Sequence, residues 1–208
     1  MSEYIRIGSY EIIITDRADG DASDPNHEVY SIFHATVQVH GTNVLVVWPD
    51  LSIGKSSVEA DALIGLDTQG VGVRVADCLP LILIGEDHTA AVHCGRKWLK
   101  SGIITAVLEK LVTIWEDLQH IHYFIGPCIR TYEVGNEFTN YFPMRFLIPL
   151  GEKYLFDLVG YTRYALSIEG VVFDQGVVHP ECTLRNIRYF SYRRDGAVGT
   201  NFVWVRKR

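Results

Sequence analysis

Three side chains suited to binding a metal ion, His40, Cys78 and His93, each fall near the end of a short apolar run. The stretch from Val71 alternates through Val73 and Val75, then reaches Asp77 and Cys78 just before Pro80. A second run, Leu81 to Ile84, leads through a polar turn to a third, Ala90 to Val92, which ends on His93 and Cys94. Short apolar runs bounded by Gly, Pro and Asp read as buried strands. A thiol and an imidazole are therefore expected at neighbouring strand ends, where rigid backbone holds them in register. Zinc takes His nitrogen and Cys thiolate, and a catalytic zinc has three protein ligands with a fourth position open. Two histidines and one cysteine meet that count. The same residues support a second chemistry, with Cys78 as nucleophile and His93 as its base, which needs only hydrogen-bond reach. A third reading leaves Cys78 as a small core hydrophobe and the histidines as partners of backbone groups. A zinc-bound thiolate is masked from alkylating agents and a free one is not, but residue types alone do not separate the three.

Other groups stand nearby in the sequence. Asp77, adjacent to Cys78, points to the opposite face if the chain is extended there. It reads either as a carboxylate that orients a histidine or as one that starts a turn. Arg193, Arg194 and Asp195 precede Gly196. Arginines so placed suit anion recognition, since the guanidinium grips phosphate bidentately; the alternative is a solvated turn. The basic residues from Arg185 to Arg208 belong to no nucleic-acid module, so no nucleic-acid partner is expected. CxxC, HExxH, P-loop and GxSxG motifs are all absent from the sequence.

The elements that must carry these groups mix strands and helices without a regular βαβ alternation, which predicts an α+β fold over a doubly wound sheet. Residues 4–15 suggest an opening strand, and 29–40 with 44–48 a hairpin turned at Gly41-Thr42-Asn43 and ended by Pro49. Residues 56–66 read as a short helical turn or loop. Leu99, Ile103, Val107, Leu111, Ile114, Trp115 and Leu118 recur at helical steps and predict one helix of about twenty residues. A short strand is expected at 123–125, helical structure at 134–142, and a helix after Asp157 as N-cap. Residues 171–173 read as a strand, and the end of the chain as strand, Asp-Gly turn and strand. The 208 residues, with 12% aromatic and 21% charged side chains, describe a single globular domain over 1–208. A formal net charge of -6 gives no general attraction to nucleic acid or anionic membrane. Without an 18-residue apolar span or a secretory leader, a cytoplasmic protein is expected. The four cysteines, scattered through the chain, are expected to be reduced.

Several phrases taken together resemble one family. QVHGTNV (38–44), ADAL (60–63), ADCLPLIL (76–83), AVHCG (91–95), IGPCIRTYEVG (125–135), DL (157–158) and CT through FSYRRDG (182–196) follow in the expected order. They resemble the laccase-domain family, the multi-copper polyphenol oxidoreductases also described as zinc-dependent purine nucleoside phosphorylases. The resemblance runs from about residue 38 to the end. It implies that His40, Cys78 and His93 bind a catalytic zinc, with copper the second choice. It also implies phosphorolysis of adenosine, inosine or guanosine, with methylthioadenosine cleavage and adenosine deamination as related activities. The partners would be a purine nucleoside and phosphate, with no membrane and with the chain a monomer or homodimer. The implied fold is a layered α/β/β/α sandwich of mixed sheets, shared with the catalytic domain of cytotoxic necrotising factor toxins. Those toxins are deamidases with a Cys/His pair, so a thiol hydrolase stays as the alternative enzyme, and a degenerate nucleoside-binding member as the non-catalytic one. Asp77 would steer a proton or ligand, and Arg193, Lys97 and Arg194 would hold phosphate or ribose. The chain departs from the family pattern at Cys94-Gly95-Arg96-Lys97-Trp98, where Ala-Gly-Trp-Arg-Gly is usual. A second departure is Val198-Gly199-Thr200, where Thr-Gly-Arg is usual, and a third is the shortened N-terminal region with Arg17-Ala18-Asp19-Gly20.

Overall fold

In the computed structural model, which describes residues 2–31, 33–48, 54–66, 70–114 and 116–208 without the side chains of 55, 56 and 96–98, the chain opens on a hairpin. β1 (Glu3–Ile7) and β2 (Tyr10–Ile14) pair antiparallel about Gly8, whose φ of 57° suits glycine. There follow β3 (His34–Val37), β4 (Val44–Val47), β5 (Gly54–Glu59), β6 (Ala62–Leu66), β7 (Val71–Val75), β8 (Leu79–Ile84) and β9 (His88–Cys94). Helices α1 (Arg96–Ser101) and α2 (Ile103–Thr113) come next, then β10 (His122–Ile125), β11 (Thr131–Val134), β12 (Leu147–Leu150) and β13 (Lys153–Asp157). The chain closes with α3 (Leu158–Ile168), β14 (Gly176–Val178), α4 (Tyr192–Asp195) and β15 (Asn201–Lys207).

Two large mixed sheets form, ordered β1-β2-β15-β7-β3-β5 and β14-β10-β8-β9-β6-β4, with a small sheet β11-β13-β12 beside them. The large sheets stack through Ile12, Ile14, Val73 and Val203 of the first and Leu63, Ile82, Ala91 and Phe124 of the second, all fully buried. Each such large aliphatic or aromatic side chain contributes roughly 1.5–3 kcal/mol on burial. The other face of the second sheet carries Ile64, Leu81, Leu83 and Val92, packed on Ile103, Val107 and Leu111 of α2 and Leu158 and Leu166 of α3. Because β8 and β9 lie between two apolar layers, β8 and the Ala90–Val92 stretch of β9 read as continuous hydrophobic runs. The outer face of the first sheet, with Ile13, Ala35, Phe202 and Trp204, is covered by Ala22, Val29, Tyr30 and Phe33. This fourth layer is built from turns and 3-10 segments, Arg17–Asp19 and Glu28–Ser31, and not from an α-helix among the described residues.

Several local expectations are corrected. β3 and β4 do not form a hairpin, because β3 joins the first sheet and β4 the second. Residues 38–43 cross between the layers, a choice that alternation alone does not encode. Residues 56–66 hold β5 and β6 in place of a helical turn, and the ALIG run of β6 is buried on both faces. The long helix is broken in two at Gly102, in the left-handed region with φ 83°. Residues 134–142 hold the end of β11 and a 3-10 segment, Asn136–Asn140. The apolar 171–173 stretch leads into another 3-10 segment, Phe173–Gln175, ahead of β14. The Arg193–Asp195 stretch is the last turn of α4, capped by the Ser191 hydroxyl, and only 201–207 is a strand. Asp157 caps α3 as expected, accepting from Gly160 N–H at 2.9 Å. Pro49 and Trp115 lie outside the described residues.

Candidate metal centre

The candidate groups meet at one end of the sandwich. β9 ends there, β8 begins there, and the connections 38–43 and 60–61 cross the same edge. His93 sits opposite Pro80 in the β8–β9 ladder, and Cys78 immediately precedes the Leu79–Cys94 pair that ends it. His40 is exposed, with its backbone in the left-handed region at φ 66°. Its ring lies 5.6 Å from that of His93 between centroids, edge to face.

Asp61 completes the cluster. Ligand atoms of His40, Asp61 and His93 lie within 4.8 Å of one another, a group able to hold a metal ion. Asp61 is fully buried. Its Oδ2 accepts from the backbone N–H of Gly41 at 2.7 Å and of Val39 at 3.2 Å, and its Oδ1 lies 3.2 Å from His93 Nδ1. One carboxylate therefore shapes the turn that presents His40 and braces the ring of His93. Its backbone carbonyl also accepts from His93 N–H at 2.8 Å. Burial alone would raise the Asp61 pKa, but His93 and the Gly41 N–H hold it below the usual carboxylate range. Burial pushes His93 below the usual imidazole range against the pull of Asp61, which keeps the ring neutral, the form that ligates a metal. Gln38 adds a further contact, its Nε2 lying 2.5 Å from His93 Nδ1.

Cys78 is half-buried in the turn between β7 and β8 and packs against both core clusters, outside the His40–Asp61–His93 group. Cys94 and Cys128 are deeply buried, and burial pushes both thiols far above their ordinary range, so neither is a nucleophile. Cys128 faces Cys182 across an isolated parallel bridge. Asp77, at φ 83°, holds this region together. Its Oδ1 accepts from the Thr183 hydroxyl at 2.7 Å, its Oδ2 from Arg193 N–H at 2.8 Å, and its carbonyl from Ile129 N–H at 2.9 Å. The strained turn at Asp77 thus ties Cys78 to the 128–129, 182–183 and 192–195 segments.

The two arginines separate in role. Arg193 is exposed, with its guanidinium 5.0 Å from the centre of the Tyr132 ring and one donor 3.4 Å from the Glu133 carbonyl. Arg194 gives Nε and Nη2 to the Asp195 carboxylate, both at 2.8 Å, and Nη2 also to the Tyr189 carbonyl. Its Nη1 reaches the carbonyls of Thr183, Leu184 and Asn186. That guanidinium is committed to the protein and serves as the knot of the 183–189 loop. Arg17 of the N-terminal loop pairs with Asp195 and stacks over Phe190, and Thr200 N–H donates to Asp21 at 2.8 Å. The Lys97 side chain lies outside the described residues. Sequence reasoning missed Asp61, Gln38 and Arg17, although the first two stand inside the ADAL and QVHG phrases.

The donor set suits a divalent transition metal, since two imidazoles and a carboxylate converge, and the Cys78 thiol stands outside that group in the turn before β8. Comparisons with known proteins agree on where the chain belongs. A family profile described as multi-copper polyphenol oxidoreductase laccase matches residues 25–207. A purine nucleoside phosphorylase of Aquifex aeolicus is 37% identical over 141 residues, covering 66% of this chain and 66% of that protein. Another from Streptomyces coelicolor is 31% identical over 185 residues, covering 81% of this chain and 73% of that protein. Among solved structures, YlmD from Geobacillus stearothermophilus superposes with a TM-score of 0.81 at 18% identity, over 97% of this chain and 93% of that one. A Neisseria meningitidis protein does so with a TM-score of 0.79 at 24% identity, over 99% and 98%. These two likenesses concern the fold.

Proposed function

The chain belongs to the multi-copper polyphenol oxidoreductase laccase family, and on that premise we propose that it is a zinc-dependent enzyme of the purine nucleoside phosphorylase type. In the reaction, a phosphate oxygen bonds to C1′ of the ribose as the bond from C1′ to purine N9 breaks. The base leaves with the electron pair and takes up a proton, giving free purine and ribose 1-phosphate. The observation that carries the reading is the convergence of His40, Asp61 and His93 at one end of the sandwich. Curated relatives bear the phosphorylase name at 37% and 31% identity.

His40, His93 and Cys78 are proposed as the zinc ligands. Asp61, fully buried with one oxygen on two backbone N–H groups and the other toward Nδ1, acts from behind the imidazole. Bound zinc would supply Lewis-acid polarisation. Zinc is preferred to copper because a laccase needs several coppers, and a single group of this kind occurs among the described residues. Arg193, exposed at the rim, is proposed to bind phosphate, with Lys97 as a second cation. Asp77, by fixing the Arg193 backbone and the Cys78 turn, is a positioning residue.

Incubating the protein with phosphate and adenosine, inosine or guanosine, and following free base by chromatography, tests the reading. Methylthioadenosine cleavage and adenosine deamination are scored in the same runs. Base release that needs phosphate and is abolished by a chelator is the expected result. Activity that survives the chelator and is lost to iodoacetamide would replace it with a Cys78–His93 hydrolase or deamidase. Nucleoside binding without turnover in the zinc-loaded protein would leave a non-catalytic binding protein.

A further inference from the structure

Gln38, in the connection after β3, reaches both β7 and the candidate ligand His93. Its amide clasps the main chain of β7 in both directions, Oε1 accepting from Arg74 N–H at 2.8 Å and Nε2 donating to the Arg74 carbonyl at 2.8 Å. This pair of hydrogen bonds fixes which end of the amide is oxygen, because a flipped amide would set donor against donor and acceptor against acceptor. The second hydrogen of Nε2 then points at His93 Nδ1, 2.5 Å away. The Asp61 carboxylate oxygen Oδ1 lies 3.2 Å from the same nitrogen. A ring nitrogen serves only one of these neighbours at a time. It accepts from Gln38 as a lone pair, with the ring hydrogen on Nε2, or it donates to Asp61, with the lone pair on Nε2.

We propose that Gln38 is a positioning residue that holds His93 of the metal-free protein in the tautomer with hydrogen on Nε2, and that metal uptake hands Nδ1–H to Asp61. The proposal rests on the metal reading above. The two ring forms carry the same number of protons, so the step is an exchange of hydrogen-bond partners and not a net protonation. A metal ligand whose other ring nitrogen donates to a carboxylate is oriented and made more basic, and Asp61 is placed to receive that hydrogen. Gln38 opposes the state, because an amide N–H and a ring N–H cannot face each other at this separation. The metal therefore competes with the Gln38–His93 contact, and through the Gln38 clasp on Arg74 its binding is coupled to β7, which leads into the turn at Asp77 and Cys78.

Long-range proton–nitrogen NMR of full-length protein labelled at histidine nitrogen tests this, with His93→Gln used to assign the signal. Metal-stripped wild type should show His93 with hydrogen on Nε2, and one equivalent of zinc should move it to Nδ1. Hydrogen already on Nδ1 in the stripped protein overturns the proposal whether or not zinc binds. So does a His93 tautomer that zinc leaves unchanged while shifting His40. Zinc that perturbs neither ring overturns the metal reading instead, and the stripped spectrum still decides the role of Gln38. Gln38→Met, similar in volume but without the donor, should carry hydrogen on Nδ1 before metal is added. It should also bind zinc roughly five- to tenfold more tightly, the size expected when one competing hydrogen bond is removed. An unchanged tautomer in that variant also overturns the proposal.

Discussion

Replacing Asp61 with Asn tests how much one buried carboxylate organises. Its Oδ2 receives the Gly41 and Val39 N–H groups, and its Oδ1 faces His93. Hydrogen bonds to a charged acceptor are worth about 1.5–3 kcal/mol and those between neutral groups about 0.5–1.5. Neutralising the acceptor for two backbone donors therefore costs about 2 kcal/mol, a large part of the 5–15 kcal/mol typical of a folded domain. The substitution also places an amide N–H in front of Nδ1, which favours the tautomer that cannot ligate through Nε2. Loss of such an orienting partner lowers metal affinity by about 10–100-fold. Urea unfolding of metal-stripped Asp61→Asn measures the first effect, and zinc competition against a chromophoric chelator measures the second. Unfolding within about 0.5 kcal/mol of wild type, together with unchanged zinc affinity, would refute the role given to Asp61.

The two arginines should part company. Arg193→Ala should raise the phosphate KM by about tenfold, equivalent to 1.4 kcal/mol, with the melting temperature unchanged, whereas Arg194→Lys should lower urea stability by about 2–4 kcal/mol by abandoning buried carbonyl partners. Asp195 is held down to about 2, first by the Arg194 hydrogen bond and then by the Ser191 N–H and Arg17. Its folded pKa thus lies below the unfolded value, so its contribution is present above about pH 4 and lost as pH falls through the folded value. Protection of the 183–196 segment against hydrogen exchange, taken relative to the intrinsic rate at each pH, should fall as pH drops through that window in wild type, while Asp195→Asn should be weakly protected throughout. His34 is buried with both ring nitrogens unpartnered, and burial lowers its pKa. The neutral ring is favoured in the fold, so stability is fully present above the unfolded value near 6.5 and falls as the pH drops below it. His34→Leu should gain about 1–3 kcal/mol at neutral pH by removing unsatisfied polar atoms and should flatten the decline in urea unfolding between pH 7 and 5.

Strand chemistry was legible wherever burial on both faces wrote itself as an apolar run, as in β8 and β9, and the Asp157 cap was legible from one residue. Pairing was not. The alternation of 29–40 fits a strand in either sheet, and only the packing of Ala35 and Phe33 beneath Trp204 and Phe202 sends β3 to the first sheet. Gly102 breaks the helix through a backbone angle that the apolar stripe does not report. At the site, histidines announced themselves by type. Asp61 did not, because a carboxylate beside two alanines looks like any turn until Val39, Gly41 and His93 are seen around it. The Arg193-Arg194 pair looked like one anion grip, yet the carbonyls of the 183–189 loop claim the second guanidinium.

Two imidazoles and one thiolate, those of His40, His93 and Cys78, are proposed to hold a single zinc at one end of the sandwich. X-ray absorption at the zinc edge, on protein purified without added metal, reads that ligand set directly. The expected result is one equivalent of zinc with two imidazole nitrogens at about 2.0 Å and one sulfur at about 2.3 Å, and loss of the sulfur signal in Cys78→Ser. Substoichiometric zinc, or a full equivalent whose sulfur signal survives in Cys78→Ser, would contradict it.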